Sequence, residues 1–131
     1  MSTVALRGRV VTGREVWDTG TVLIEGTTIQ AVVQGWPEAE ETVDLEDSLL
    51  VPGFVDLQIN GAFGIDVATE PQRIGELSAR LVGTGTTSYL PTIVSLPLEN
   101  YPSLLYSISL EERNCAEPLG LHLEGPFITP E

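Results

Sequence analysis

Leu50-Val51-Pro52-Gly53-Phe54-Val55-Asp56-Leu57-Gln58-Ile59-Asn60 is the stretch at which the texture of the chain changes. Before it lie short β-prone runs separated by turn signals; after it the rhythm is strand, helix, strand, helix, strand. The apolar residues between Leu49 and Asn60 predict a strand with Pro52-Gly53 near its start. Downstream, Thr69 reads as an N-cap, Pro71 falls in the first helical turn and Gly83 marks the stop. Ile74, Leu77, Leu81 and Val82 form the apolar face between them. Thr87 to Ile93 predicts a second strand. Pro97 to Arg113 predicts a second helix with Tyr101, Leu105 and Ile108 on one face, its regular part starting late because of Pro102. Leu119 to Leu123 predicts a third strand, running into Glu124-Gly125-Pro126. Strands alternating with helices imply an α/β fold, a parallel sheet with right-handed crossovers.

Working outward to the N-terminal side, Val4-Ala5-Leu6 and Val10-Val11 read as short strands. Thr21-Val22-Leu23-Ile24 and Ile29-Gln30-Ala31-Val32-Val33 read as the arms of a hairpin around Glu25-Gly26-Thr27-Thr28. Glu38, Glu40, Glu41, Asp44, Glu46 and Asp47 then place six carboxylates within ten residues. With no fixed ligand spacing, they read as a solvated loop and a strand edge kept from pairing by its charge, and no metal is assigned to them.

Composition excludes several classes of function. The chain has 131 residues and a net charge of −13, and its six basic residues are all Arg. No basic stripe exists to neutralise phosphates, so neither nucleic acid nor an anionic membrane surface is an expected partner. No apolar run approaches the roughly 20 residues of a membrane span. Met1-Ser2-Thr3-Val4-Ala5-Leu6-Arg7 lacks the order of a signal peptide. The single Cys115 excludes an internal disulfide and a Cys-rich zinc site. A soluble, cytoplasmic protein is expected. The strand–helix pattern is also unfinished, because eight such units closed into a barrel take about 250 residues. A fragment of a longer protein is therefore expected, with an exposed sheet edge and apolar face that make the isolated chain prone to aggregate.

Side-chain alternation singles out the candidate site. In the first strand Val55, Leu57 and Ile59 share one face, and Phe54, Asp56, Gln58 and Asn60 the other. In the third, Leu119, Leu121 and Leu123 lie opposite His122 and Glu124. With helices over the aliphatic faces, Asp56, Gln58, Asn60, His122 and Glu124 point inward near strand C-terminal ends, where barrel enzymes place their active sites. Polar groups there are costly unless they serve a ligand or one another. His122, the only histidine, reads either as a structural hydrogen-bonding residue or as a substrate or metal contact. Glu124 reads as a divalent-cation ligand or as a carboxylate accepting backbone amides. Gln58 and Asn60 suit hydrogen bonds to a substrate, and Asp56 suits fixing local backbone. Gly83-Thr84-Gly85-Thr86-Thr87 lies at the wrong end of the sheet for an anion site and reads as a helix C-cap with a tight turn. Thr92 and Ser95 lie at the correct end, as site-lining groups or as the N-cap of the next helix.

These residues carry a resemblance. Leu50-Val51-Pro52-Gly53-Phe54-Val55-Asp56 resembles the lead-in to the first barrel strand of the amidohydrolase superfamily. The hairpin around Ile24 to Ile29 is similar to the small β-sandwich that precedes that barrel. Gly120-Leu121-His122-Leu123-Glu124-Gly125-Pro126-Phe127, with Pro130-Glu131, resembles the metal-ligand segment of N-acetylglucosamine-6-phosphate deacetylases, and Gln58-Ile59-Asn60-Gly61 resembles their first strand. The resemblance implies residues 1–50 as a partial β-sandwich and 51–131 as the first βα units of an incomplete (β/α)8 barrel, about the first third of such an enzyme. It implies Glu124 as ligand of one catalytic divalent metal, usually zinc. Gln58-x-Asn60 stands where most of the superfamily carries His-x-His, which favours a single metal. His122 and Asn60 are then inner-wall residues, while the remaining ligands and the general-base aspartate lie downstream.

The expected full-length activity is hydrolysis of the acetamide of N-acetylglucosamine 6-phosphate to glucosamine 6-phosphate and acetate, by a homo-oligomer. The 131-residue chain alone is expected to be inactive. N-acetylgalactosamine-6-phosphate deacetylase or another amidohydrolase is the alternative enzyme. A non-catalytic interaction module or decayed gene fragment is the alternative without chemistry.

Overall fold

The computed structural model describes residues 2–110 and 115–127. The chain divides into two compact units, Met1–Pro52 and Gly53–Glu131.

The first unit is a four-stranded sheet made by β1 (Thr3–Val11), β2 (Val16–Glu25), β3 (Thr28–Gln34) and β4 (Glu41–Leu50), in the order β3-β2-β1-β4. The β1/β2 and β2/β3 pairs are antiparallel, and β4 runs parallel to β1. The expected hairpin forms with Glu25 opposite Thr28, and Gly26 takes φ 60 at the first of the two turn positions. That mirror-image turn matches the twist of the flanking strands and needs glycine there. Val4–Leu6 and Val10–Val11 belong to one strand, which passes through the buried Gly8. Opposite Gly8 the edge strand bulges, since Arg7 pairs with Asp44 but Arg9 with Leu49. A Cβ on Gly8 would stand 3.1 Å from the Ser48 carbonyl oxygen. Four of the six carboxylates lie on β4 itself and are exposed, so bulge and charge together discourage pairing of a further strand. One face of this sheet holds an open apolar hollow of about 240 Å³, lined among others by Leu6, Val10, Val22, Ile24 and Leu50.

In the second unit, β5 (Phe54–Ile59) and β8 (Thr86–Ile93) are parallel neighbours. β9 (Glu117–Pro118) and β10 (His122–Leu123) both pair with β8 in parallel, so β8 is central. The strand expected from Leu49 to Asn60 is in fact two, because β4 ends at Leu50 and β5 starts at Phe54. Pro52 between them has no N–H to give a ladder. The strand expected from Leu119 to Leu123 is likewise broken. Gly120 takes φ 151 and leaves β9 and β10 as two short pieces. Directly after β5, β6 (Gly61–Ala62) and β7 (Ile65–Asp66) form a small hairpin with positive φ at both Phe63 and Gly64. Arg80 stacks on the Phe63 ring at 4.6 Å from its centroid.

The first helix, α1 (Ile74–Leu81), follows a 3₁₀ turn at Pro71–Arg73. Thr69 does not cap it; its own N–H and hydroxyl are held by Asp66 Oδ1 at 2.8 and 3.0 Å. The helical stretch continues through Val82–Thr84 and stops at Gly85, not Gly83, where φ is 85. The second, α2 (Tyr101–Ser107), ends earlier than expected because Ile108 is extended, and Arg113 lies outside the described residues. Tyr101 and Leu104 bury its inner face, whereas Leu105 is exposed. The core gathers Ile74, Leu77 and Leu81 of α1 against Tyr89 and Ile93 of β8, with Tyr101 and Leu104 beside them. At its centre the Tyr89 hydroxyl lies 2.8 Å from Ser78 Oγ. On β5 only Ile59 of the expected aliphatic face is buried; Val55 and Leu57 are 56% and 64% exposed.

Arg73 bridges Glu70 and Glu76 at the start of α1. Hydrogen bonding from Arg73 chiefly holds the Glu76 carboxyl below its usual pKa against opposing desolvation, with lesser help from the charges of Arg73 and Arg80. A depressed carboxylate adds stability that is present above the unfolded value of about 4.3 and is lost as pH falls through the lower folded one. Arg73→Ala should therefore lie below the wild type in urea midpoint at pH 7, with the gap closing under strongly acid conditions. A gap unchanged by pH would remove the pair from the stability balance.

Candidate active site

β5 and β10 flank β8, so their backbones are separated by roughly 10 Å, two strand spacings. Their polar ends nevertheless meet. Asn60, one residue past β5, donates from Nδ2 to Oε2 of Glu124, one residue past β10, at 3.2 Å. The two side chains therefore reach toward each other across the C-terminal end of β8. Each backbone is tied down independently. The Glu124 N–H donates to the Ile93 carbonyl at 3.0 Å, and the Asn60 carbonyl accepts from Val67 N–H at 2.9 Å. Gly125 permits the close approach of the segment after Glu124 to β8, because a Cβ there would fall on the Ser95 side chain.

His122 stands beside Thr92 in the ladder, with Nδ1 3.4 Å from Thr92 Oγ1. Thr92 is fully buried and its hydroxyl also lies 3.1 Å from the Leu90 carbonyl oxygen. It does not cap α2, whose N-cap position is Asn100. Asp56 has a local role: its Oδ1 accepts the Gln58 N–H at 3.0 Å. That bond accompanies the shift in β5–β8 register between Asp56 and Ile59. The structure thus joins Asn60 with Glu124, and His122 with Thr92. It joins Asp56 to the Gln58 backbone. The β6–β7 hairpin and the Val67 tie behind Asn60 were missed by sequence reading, although Phe63-Gly64 after two strand residues carries a weak turn signal.

No ion pair among the described residues involves Asp56 or Glu124. Glu124 thus keeps an anionic oxygen, Oε1, with no cationic partner, while Oε2 is held by an amide. That donor set fits one carboxylate ligand of a divalent cation, oriented by an outer hydrogen bond. Among the described residues no group of three His, Cys, Asp or Glu side chains is placed to hold a metal, so a metal at Glu124 would need ligands beyond these.

No protein-family model matches the chain. It is 34% identical to the N-acetylglucosamine-6-phosphate deacetylase of Bos taurus over 96% of its own length and 32% of that protein's. It is 35% identical to the enzyme of the same name from Haemophilus influenzae, over 84% of this chain and 30% of the other. The structure superposes on N-acetyl-D-glucosamine-6-phosphate deacetylase from Mycobacterium smegmatis, solved in complex with N-acetyl-D-glucosamine-6-phosphate. The TM-score is 0.84 at 26% identity, covering 98% of this chain and 34% of that one. The chain aligns with about a third of the length of these N-acetylglucosamine-6-phosphate deacetylases. It spans only that share of the curated relatives it matches, and the likeness extends over both of its units. The segment Gly120 to Phe127 carries the Glu124 end of the Asn60–Glu124 bond. No helix among the described residues is long and apolar enough to cross a membrane.

Proposed function

We propose that the chain is the N-terminal part of a metal-dependent sugar-phosphate deacetylase, contributing the first metal ligand and one wall of the substrate site. The observation that carries this is the Asn60–Glu124 hydrogen bond of 3.2 Å across the C-terminal end of β8. It joins two residues 64 positions apart at the sheet end where barrel enzymes work. The first unit is read as half of a β-sandwich whose apolar hollow is covered by a second sheet. The second unit is read as the opening strands of a (β/α)8 barrel, with exposed β5 awaiting neighbours. The full-length protein is read as a cytoplasmic homo-oligomer that takes N-acetylglucosamine 6-phosphate.

In this reading Glu124 holds a divalent cation, zinc for preference, through the oxygen that Asn60 leaves free. When bound there the cation supplies Lewis acidity toward the acetamide carbonyl. The chain's own residues position what reacts. Asn60 fixes the carboxylate, and Asp56 fixes the strand that carries Gln58 and Asn60. Gln58, with both an amide donor and an acceptor, suits the hydroxyls of a sugar. His122 sits beside Glu124 on the same strand end as a hydrogen-bonding group toward the substrate.

The test is acetate release from N-acetylglucosamine 6-phosphate with and without zinc, for the full-length protein and for the 131-residue chain. Zinc-dependent turnover by the longer protein alone is the expected result. Turnover by the short chain would overturn the claim that its site is incomplete. No turnover by the longer protein, with zinc loaded, would overturn the deacetylase reading.

A further inference from the structure

Ser95 stands just beyond the C-terminal end of β8. It caps neither the 3₁₀ turn at Leu98–Asn100, whose N-cap position is Pro97, nor α2, whose N-cap position is Asn100. What it meets instead is the segment that carries Glu124. β10 pairs with β8 in parallel, His122 beside Thr92 and Leu123 beside Ile93, and the Glu124 N–H extends that ladder to the Ile93 carbonyl. Continued in the same register, Gly125 falls opposite Ser95. Opposed side chains on paired strands keep their Cβ atoms about 4.5–5.5 Å apart. A Cβ on Gly125 would lie only 2.8 Å from Ser95 Cβ and 3.0 Å from Ser95 Cα. The two segments thus converge after Glu124 more closely than a regular ladder allows, and a glycine is what lets them. Turning the Ser95 hydroxyl away does not relieve the approach, because Cβ and the backbone take part in it.

We propose that Ser95 is a positioning residue: packed against Gly125, it fixes the backbone just after Glu124 and thereby the direction of the Glu124 carboxylate. The inference rests on the reading of Glu124 as a metal ligand and adds a third constraint to it. The Ile93 carbonyl holds the Glu124 N–H at 3.0 Å, Asn60 Nδ2 holds Oε2 at 3.2 Å, and Ser95 stops the backbone that follows. With all three in place, Oε1 is held to one position. Moving a Cβ at position 125 from 2.8 Å to the 3.4 Å of ordinary contact needs a shift of about 0.6 Å. Metal–ligand distances tolerate only about 0.2 Å, so a shift of that size passed on to Glu124 costs affinity.

The readout is the zinc affinity of the full-length protein, measured by competition with a chelator, and it needs no turnover. Gly125→Ala should bind zinc about 10- to 100-fold more weakly, the range for disturbing a group that orients a ligand. Adding Ser95→Gly removes the opposing Cβ and should restore the greater part of that loss, since only the 3.0 Å approach to the backbone Cα remains. A folded Gly125→Ala protein with wild-type affinity overturns the proposal. So does a double variant that binds no better than the single one. Where Gly125→Ala fails to fold, the double variant still decides: zinc binding regained supports the packing stop, and none regained overturns it. Glu124→Gln separates the two levels of the argument. If it keeps wild-type zinc affinity, the ligand assignment fails and takes this proposal with it. If it loses zinc while Gly125→Ala keeps it, only the role of Ser95 fails.

Discussion

On the proposed reading, Glu124→Gln in the full-length protein is expected to fail to retain added zinc and to release acetate at least about 100-fold more slowly. That is the upper end of the effect of removing an outer hydrogen-bond partner from a metal site, and removing a ligand should exceed it. The substitution keeps shape and volume but replaces an anionic oxygen by a neutral amide, a poor donor for a divalent cation. It also leaves the Asn60 Nδ2 donor, now 3.2 Å from Oε2, facing either an amide oxygen or an amide nitrogen. Asn60→Ala provides the graded comparison. It preserves the ligand but frees its carboxylate to rotate, so zinc affinity should fall by about 10- to 100-fold. Metal content after dialysis and kcat/KM on the same samples make the measurement. A Glu124→Gln protein that retains zinc and turnover would exclude Glu124 as a ligand.

Tyr89→Ala is expected to destabilise the second unit by about 3–5 kcal/mol, the range for deleting a large buried aromatic. Whole domains are stable by only about 5–15 kcal/mol, so this variant should be largely unfolded under mild denaturing conditions. Tyr89 is fully buried on the central strand, and its ring fills the space between β8 and the inner face of α1. Its hydroxyl adds a second effect that Tyr89→Phe isolates. Removing it leaves the buried Ser78 Oγ, 2.8 Å away, without that partner, at a cost of about 1–3 kcal/mol. Urea midpoints should order wild type above Tyr89→Phe, and Tyr89→Phe well above Tyr89→Ala. Equal midpoints for the two variants would mean that the hydrogen bond, not the packing, dominates at this position.

Reading the sequence was most successful where the physics is local. Gly26 announced its turn, and the β-prone runs around it became β2 and β3. The order of strands and helices after Phe54 came from hydrophobic period and punctuation, and it survives in the structure. Boundaries were less legible because caps are settled by contacts. Asp66 takes the Thr69 N–H that an N-cap reading leaves free, and Gly85, not Gly83, supplies the left-handed residue. The third strand read as continuous because Gly120 lies among leucines, yet its positive φ divides it.

The amino-acid order by itself determined the α/β character and the short list Asp56, Gln58, Asn60, His122 and Glu124. Each follows from residue chemistry and alternation along a single strand, which need no knowledge of neighbours. Tertiary structure alone decided how that list divides. Pairing β5 and β10 on opposite sides of β8 brings Asn60 to Glu124 and His122 to Thr92, and confines Asp56 to its own strand. These are contacts between segments 30 and 64 residues apart, set by sheet register, and register is a property of the assembled sheet and not of any one strand within it.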